Sequence, residues 1–149
     1  MKRNIILIAM MILSVLSIEA KNEKQPSFIY GFASSFNDSI IYLVEIQMLE
    51  DTWIDSKTGF LYGRDSYSYQ LRDYLKSQGV KAPTCVTGFA KTRKKAEEKY
   101  LKLRNKYLAK GKYDIKYLST SDFKYTPVAF EETTVYVDSS KPTIKKSKK

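Results

Sequence analysis

Residues 39–49 constrain the fold most, because their side chains alternate without a break between the two faces of an extended chain. The first face is apolar throughout: Ile40, Tyr42, Val44, Ile46 and Met48. The second face begins apolar and turns polar: Ile41, Leu43, Glu45, Gln47 and Leu49. A period of two predicts a β-strand, and apolar residues on both faces predict a central position in a sheet.

Further strands and two helices are predicted around this central strand. Residues 28–36 alternate Phe28, Tyr30, Phe32 and Phe36, and the turn pair Asn37-Asp38 joins them to the central strand as an antiparallel hairpin. Residues 52–54 extend the central strand. Residues 84–90 and 113–118 form further strands, with Cys85, Thr87 and Phe89 on one side of the first and Val86 and Ala90 on the other.

The two helices are predicted from apolar residues at helical spacing. The first starts at a cap, Asp65 or Ser66, and ends before Gly79, and its stripe is Tyr67, Leu71, Tyr74 and Leu75. The second spans residues 92–110, where the Thr92 hydroxyl can cap the first turn, and ends at Gly111. Its stripe is Ala96, Tyr100, Leu103 and Tyr107.

The element order β-β-α-β-α-β, with one more strand at 133–137, predicts an α+β fold. We expect a two-layer sandwich: a mixed, mostly antiparallel sheet with two helices on one face. Residues 84–90, the second helix and residues 113–118 form a βαβ unit, so these two strands should be parallel or nearly adjacent. The single domain spans 28–137, between a disordered lead-in at 21–27 and a disordered, lysine-rich tail at 138–149.

The N-terminus has the pattern of an export signal. Lys2 and Arg3 precede an uncharged, apolar run at 5–18, and Ala20 offers a small residue at the cleavage position. Residues 1–20 are therefore predicted to be a signal peptide, with an uncleaved anchor as the alternative. Either way, the protein from residue 21 onward is expected to be periplasmic or secreted, and no stable membrane span remains after cleavage.

Composition excludes several classes of chemistry. The chain has no histidine and one cysteine, Cys85. Intrachain disulfides, Ser-His or Cys-His nucleophiles and Cys/His zinc sites are therefore impossible. Cys85 is interpreted as a small core residue. No cofactor is expected.

Positive charge is concentrated in one segment and one tail. The chain has a net charge of +10, and residues 91–112 hold ten basic and two acidic residues. Five residues at the start of the second helix are the predicted site for an anionic partner: Lys91, Thr92, Arg93, Lys94 and Lys95. Basic residues oppose the helix dipole there, and a bound anion would reverse that penalty. The alternative is a solvated basic surface.

More basic residues are predicted to lie on the helix face opposite the apolar stripe: Lys99, Lys102, Arg104, Lys106 and Lys110. Nucleic acid is not the expected partner, because the protein is exported and no aromatic side chains interleave this face. The expected partner is an envelope protein or an anionic cell-wall component.

Catalytic and metal-binding patterns are weak, so no catalytic residue and no metal ligand is predicted. Ser121 and Lys124 match a Ser-x-x-Lys motif, but lie outside any predicted helix. Asp51 and Asp55 are a possible carboxylate pair in a turn. The segment 55–59 has Lys57 where a calcium loop needs an acidic ligand.

Two resemblances to known proteins add to these predictions of fold and function. Residues 51–118 resemble small, uncharacterised exported proteins of Bacteroidetes type, which implies no activity. Gly88-Phe89-Ala90-Lys91, leading into a helix with Ala96 and Leu103, is similar to the strand-to-helix step of SPOR domains. That resemblance implies a β-α-β-β-α-β module that binds peptidoglycan.

The first hypothesis for function is an exported, non-enzymatic binding domain of the cell envelope. The alternatives are a SPOR-like peptidoglycan-binding module and a hydrolase that uses carboxylate or Tyr residues.

Overall fold

The computed structural model describes residues 21–131, which form six elements in the predicted order β-β-α-β-α-β. They are β1 (Asn22–Ser35), β2 (Ile40–Asp55), α1 (Arg64–Ser77), β3 (Pro83–Ala90), α2 (Arg93–Leu108) and β4 (Asp114–Leu118). The predicted signal peptide, the strand at 133–137 and the tail at 138–149 lie outside the described residues. Neither helix of the described part is long and apolar enough to cross a membrane.

One four-stranded sheet, in the order β3-β1-β2-β4, forms the centre of the molecule. β1 pairs antiparallel with both β2 and β3, and β4 pairs parallel with β2. The predicted α+β class, with a mixed, mostly antiparallel sheet packed against helices, is therefore confirmed.

The strands of the predicted βαβ unit are not neighbours. β3 and β4 run in the same direction but lie at opposite edges of the sheet, with β1 and β2 between them. The hairpin of β1 and β2 takes the centre because its strands are the longest, at 14 and 16 residues, and carry apolar side chains on both faces. The chain through α2 therefore crosses the whole sheet.

The lead-in predicted to be disordered at 21–27 is mostly strand. Residues 22–25 pair with residues 52–55 of β2, so the hairpin extends beyond the four-stranded part of the sheet. Pro26 does not interrupt the pairing, because it lies at an irregularity in the register where its missing N–H is tolerated. The polar composition of this segment reflects its exposure rather than disorder.

The two helices cover opposite faces of the sheet, not one face as expected. Leu71 of α1 reaches Gly31, where an added Cβ would lie 2.8 Å from the Leu71 Cδ2 atom. Tyr107 of α2 stacks on Phe32, with ring centroids 4.9 Å apart. Because successive residues of a strand point to opposite faces, Gly31 and Phe32 place the two helices on different sides.

The face under α1 holds the main core. Tyr67, Leu71 and Leu75 of α1 are fully or almost fully buried against it. The irregular segment 119–131 covers the rest of this face and contributes Phe123 and Tyr125. This helix begins one residue before the predicted cap, with Gly63 as its N-cap at φ 64°, and no side chain caps it.

Two bulges in β2 change the predicted face assignment of its side chains. The register with β1 shifts at residues 45–46 and again at residues 50–51, where two residues of β2 face one of β1. Ile46 therefore packs on the α2 face, whereas Gln47 and Leu49 lie on the α1 face with Val44. The buried Gln47 side chain donates a hydrogen bond to the Phe123 carbonyl at 2.8 Å and accepts one from the Tyr125 N–H at 2.9 Å. These two bonds anchor segment 119–131.

Candidate functional site: a basic groove between α2 and β3

A groove opens between α2 and the edge strand β3, on the face of the sheet opposite α1. We call it the basic groove. Its floor is apolar and consists of Tyr30, Phe32, Val86, Gly88 and Leu103. Its rim is basic and consists of Arg64, Lys91, Lys95, Lys99, Lys102 and Lys106.

The groove has two connected lobes. The apolar lobe, of about 490 Å³, lies over Phe32, Val86 and Leu103. The polar lobe, of about 440 Å³, lies between the turn at 58–60 and the start of α2. The lobes share residues from four elements: Tyr30, Arg64, Gly88 and Lys99. They therefore form one continuous surface depression.

Small residues keep the groove open. The helix α2 buries one residue, the small Ala96, against the sheet, whereas α1 buries four residues. Gly88 has no side chain, and the Tyr30 ring occupies the space that a Cβ would need. The Tyr30 ring thus lies across β3 as part of the floor and meets the Tyr100 ring edge-on, with centroids 5.7 Å apart.

Two of the rim cations are held by backbone carbonyls of β3. The Arg64 Nε atom donates to the Thr87 carbonyl at 2.6 Å, and the Lys99 ammonium donates to the Phe89 carbonyl at 3.2 Å. Both carbonyls point outward from the edge strand. These contacts fix the two cations beside the floor, at the junction of the two lobes.

The charges around the groove favour anions over cations. Among the residues that the structure describes, no Asp or Glu lines either lobe. The three ion pairs found in residues 21–131 join Lys24 to Asp51, Arg72 to Asp73 and Arg93 to Glu97, so no rim residue belongs to one of them. Six cations of like sign therefore surround one groove, where they attract negative charge.

The Tyr30 hydroxyl is a neutral hydrogen-bonding group in the floor. Burial raises the pKa of Tyr30 above its usual value, and the positive charge of Arg64 opposes part of that rise. The phenol therefore stays protonated at neutral pH and can donate to a bound oxyanion.

The structure brings two of the five predicted site residues to the groove, namely Lys91 and Lys95. Thr92 is the N-cap of α2, as its sequence position suggested, and its hydroxyl accepts from the Lys95 N–H at 3.4 Å. Arg93 pairs with Glu97 at 2.8 Å. In the described part of the chain Lys94 lines neither lobe, so the predicted cluster is divided between groove and solvent.

The sequence also predicts three other basic residues of the groove rim. Lys99, Lys102 and Lys106 belong to the predicted basic helix face, but they flank the groove rather than point directly away from the sheet. Arg64 was missed, because it comes from another helix and reaches the groove around the edge of β3. Its position before a helix stripe gives no signal for this role.

The weaker candidates do not assemble into a second site. Asp51 pairs with Lys24 at 2.9 Å, whereas Asp55 accepts the Lys57 N–H and the Thr58 hydroxyl in its own turn. Hydrogen bonds from Thr58 hold the pKa of Asp55 below its usual value. Within residues 21–131, no group of three His, Cys, Asp or Glu side chains is placed to hold a metal ion.

Ser121 lies in a turn, and Cys85 packs against the core. The Ser121 hydroxyl lies 2.7 Å from that of Ser119, in a turn that Asp122 closes. Cys85 is half-buried on the α1 face, where burial raises the pKa of its thiol to about 11. The thiol is therefore neutral at physiological pH and weakly reactive.

No protein-family model, curated protein or solved structure matches this chain. The resemblances to exported Bacteroidetes-type proteins and to SPOR domains therefore remain predictions.

Proposed function

We propose that the protein is an exported, non-enzymatic binding domain that holds an anionic partner in the basic groove. One observation carries this proposal: six cations from α1, the β3–α2 connection and α2 surround a single groove that no acid lines among the described residues. Like charges at this density repel one another, and a bound anion relieves that repulsion.

The apolar floor supports the same proposal. Val86, in the floor, is 45% exposed, and Phe60, at the end of the polar lobe, is 64% exposed. A continuous apolar surface rimmed by polar or charged side chains is typical of a binding site. A partner that covers both would remove this apolar area from water and also neutralise the rim.

The location of the partner follows from the N-terminal sequence. The basic, apolar and small-residue pattern of residues 1–20 supports export, so the partner is expected outside the cytoplasm. The envelope protein or anionic cell-wall component predicted from the sequence would meet the protein there, as would smaller anionic ligands.

Two fluorescent probes of opposite charge test the proposal. Dansyl-glutamate carries two carboxylates, whereas dansyl-cadaverine carries the same fluorophore with an ammonium group. We expect the purified protein to enhance the fluorescence of dansyl-glutamate far more, and the enhancement to fall as salt is added. Equal enhancement by both probes would show that charge does not select the partner.

Two double variants with the same change in net charge locate the binding. Lys95→Gln with Lys99→Gln removes two rim cations, and should weaken dansyl-glutamate binding about tenfold. Lys94→Gln with Lys112→Gln removes two exposed cations that do not line the groove, and should change binding less than twofold. Equal losses in the two variants would mean that overall charge, not the groove, attracts the anion.

A further inference from the structure

The basic groove changes character along its length, and this gradient indicates what kind of anion it takes. The polar lobe adds the polar residues Thr58, Lys91 and Lys95 to the shared ones, together with Gly59, Phe60, Phe89 and Ala90. The apolar lobe adds Phe32, Val86 and Leu103, with Lys102 and Lys106 only at its rim. A ligand with its charge at one end and an apolar portion at the other therefore matches the two lobes best.

From this gradient, and resting on the proposed function, we propose that the ligand is a free, single-chain anionic amphiphile. Its carboxylate or similar headgroup binds in the polar lobe, among Lys91, Lys95, Lys99 and Arg64. Its aliphatic chain lies in the apolar lobe, on Tyr30 and between Val86 and Leu103. A lobe of about 490 Å³ is within the usual size range of small-molecule sites.

The edge of β3 argues against an added peptide strand as the occupant. Strand addition needs the outward carbonyls of the edge strand as hydrogen-bond acceptors. Those of Thr87 and Phe89 already accept from Arg64 and Lys99. An acidic peptide would have to displace both cations, which are the same groups that would attract it.

A polyanion also matches the groove less well. It would neutralise the rim but leave the floor at Val86 and Leu103 in water. Only a ligand with an apolar portion uses the exposed floor, and the gain grows with each methylene group that it buries. Chain-length dependence is therefore the property that separates an amphiphile from any other anion.

The test is a calorimetric titration of the protein with butanoate, octanoate and dodecanoate, all below their micellar concentrations. We expect the affinity to rise about twofold to fourfold per methylene, so that dodecanoate binds at least about tenfold more tightly than octanoate. Dodecyltrimethylammonium, with the same chain and a positive head, should bind much more weakly. An affinity independent of chain length would overturn the amphiphile while leaving anion binding intact.

Single substitutions separate the two lobes. Val86→Thr keeps the shape of an exposed side chain and should weaken dodecanoate binding about threefold without changing butanoate binding. Lys95→Gln should weaken the binding of both carboxylates, and Lys94→Gln should change neither. If Val86→Thr leaves dodecanoate binding unchanged, the chain does not lie in the apolar lobe and the proposal is wrong.

Two further outcomes distinguish the sources of failure. If vesicles of phosphatidylglycerol and phosphatidylcholine bind, Lys95→Gln weakens that binding and dodecanoate itself does not bind, the groove belongs to a membrane surface and a free amphiphile is overturned. No binding of any carboxylate, together with no response to dansyl-glutamate, would overturn the proposed function itself.

Discussion

The two faces of the sheet differ in how closely their helices pack. On the α1 face, Tyr67, Leu71 and Leu75 are buried, and segment 119–131 closes the remaining surface. On the α2 face, the helix buries Ala96 alone and leaves a groove over Val86 and Leu103. The α1 face thus provides most of the buried core, whereas the α2 face has room for a ligand.

The largest expected difference between the faces is in thiol reactivity. Cys85 lies on the α1 face, and burial raises its pKa to about 11. In a Cys85→Ala background, Val86→Cys places a thiol in the groove beside Lys99 and Lys102. We expect the groove thiol to react with a disulfide reagent at pH 7.5 about 100-fold faster, because nearby cations stabilise the thiolate.

The pH dependence of the two rates checks the cause. The pKa of Cys85 is raised, so its thiolate fraction and reaction rate should keep rising about tenfold per pH unit until about pH 11. The rate of the groove thiol should level off near pH 8.5 or below. Parallel pH profiles would contradict the difference in burial and charge between the faces.

Truncation of one leucine on each face should give the next largest difference. Leu71 is fully buried under α1, so Leu71→Ala should lower the free energy of unfolding by about 3 kcal/mol. Leu103 lies beside the groove, already partly in water, so Leu103→Ala should cost about 1 kcal/mol or less. Urea unfolding measures both values, and equal losses would show that the α2 face is packed as tightly as the α1 face.

Adding a methyl group at a glycine on each face gives a smaller contrast. At Gly31, a Cβ would lie 2.8 Å or less from Leu71, Val44 and the Tyr125 hydroxyl, all in the core. Gly31→Ala should therefore cost about 2 kcal/mol of stability.

At Gly88, the same methyl group would meet the outer atoms of one side chain, Tyr30, which would have to turn away from β3. Gly88→Ala should therefore cost about 1 kcal/mol or less, but weaken dansyl-glutamate binding by changing the floor. A Gly88→Ala variant with unchanged binding would mean that the ring position does not matter to the ligand.

The smallest expected effect concerns the start of α2. Thr92→Ala removes the hydroxyl that accepts the Lys95 N–H, and should cost about 0.5–1 kcal/mol in urea unfolding. Probe binding should be almost unchanged, because Thr92 caps the helix and in the described structure lines neither lobe. A large loss of binding at unchanged stability would place the ligand on the helix N-terminus instead.

Local patterns predicted the elements well because local physics determines them. Alternation in residues 39–49, the Thr92 cap and the stripe of Tyr67, Leu71 and Leu75 each correspond to an observed strand or helix. The assignment of β3 side chains to two faces was also confirmed, with Cys85 in the α1-face core and Val86 in the groove.

The arrangement of the elements was predicted less well, since it depends on contacts distant in sequence. The bulges in β2 moved Gln47 and Leu49 to the other face, and alternation alone cannot reveal a bulge. The sequence does contain a signal for the placement of the helices. Ile41 and Leu43 are apolar on the second face of the central strand, and both are fully or almost fully buried. Two apolar faces require a cover on each side.

The site was predicted only in part for the same reason. Lys91 and Lys95 were found because basic residues cluster in the sequence, and they line the polar lobe. Arg64, Tyr30 and Gly88 join them only through the fold, since each comes from a different element. The charge cluster in the sequence thus indicated one side of the groove, but not its apolar floor.

Nuclear magnetic resonance mapping of the amide groups tests the central claim most directly. When ¹⁵N-labelled protein is titrated with dansyl-glutamate, we expect the largest shift changes at Gly88, Lys95 and Lys99, which line the polar lobe. The amides of Leu71 and Leu75, under the opposite face, should stay unchanged. Shift changes centred on α1, or an even spread over every exposed lysine, would contradict a binding site in the basic groove.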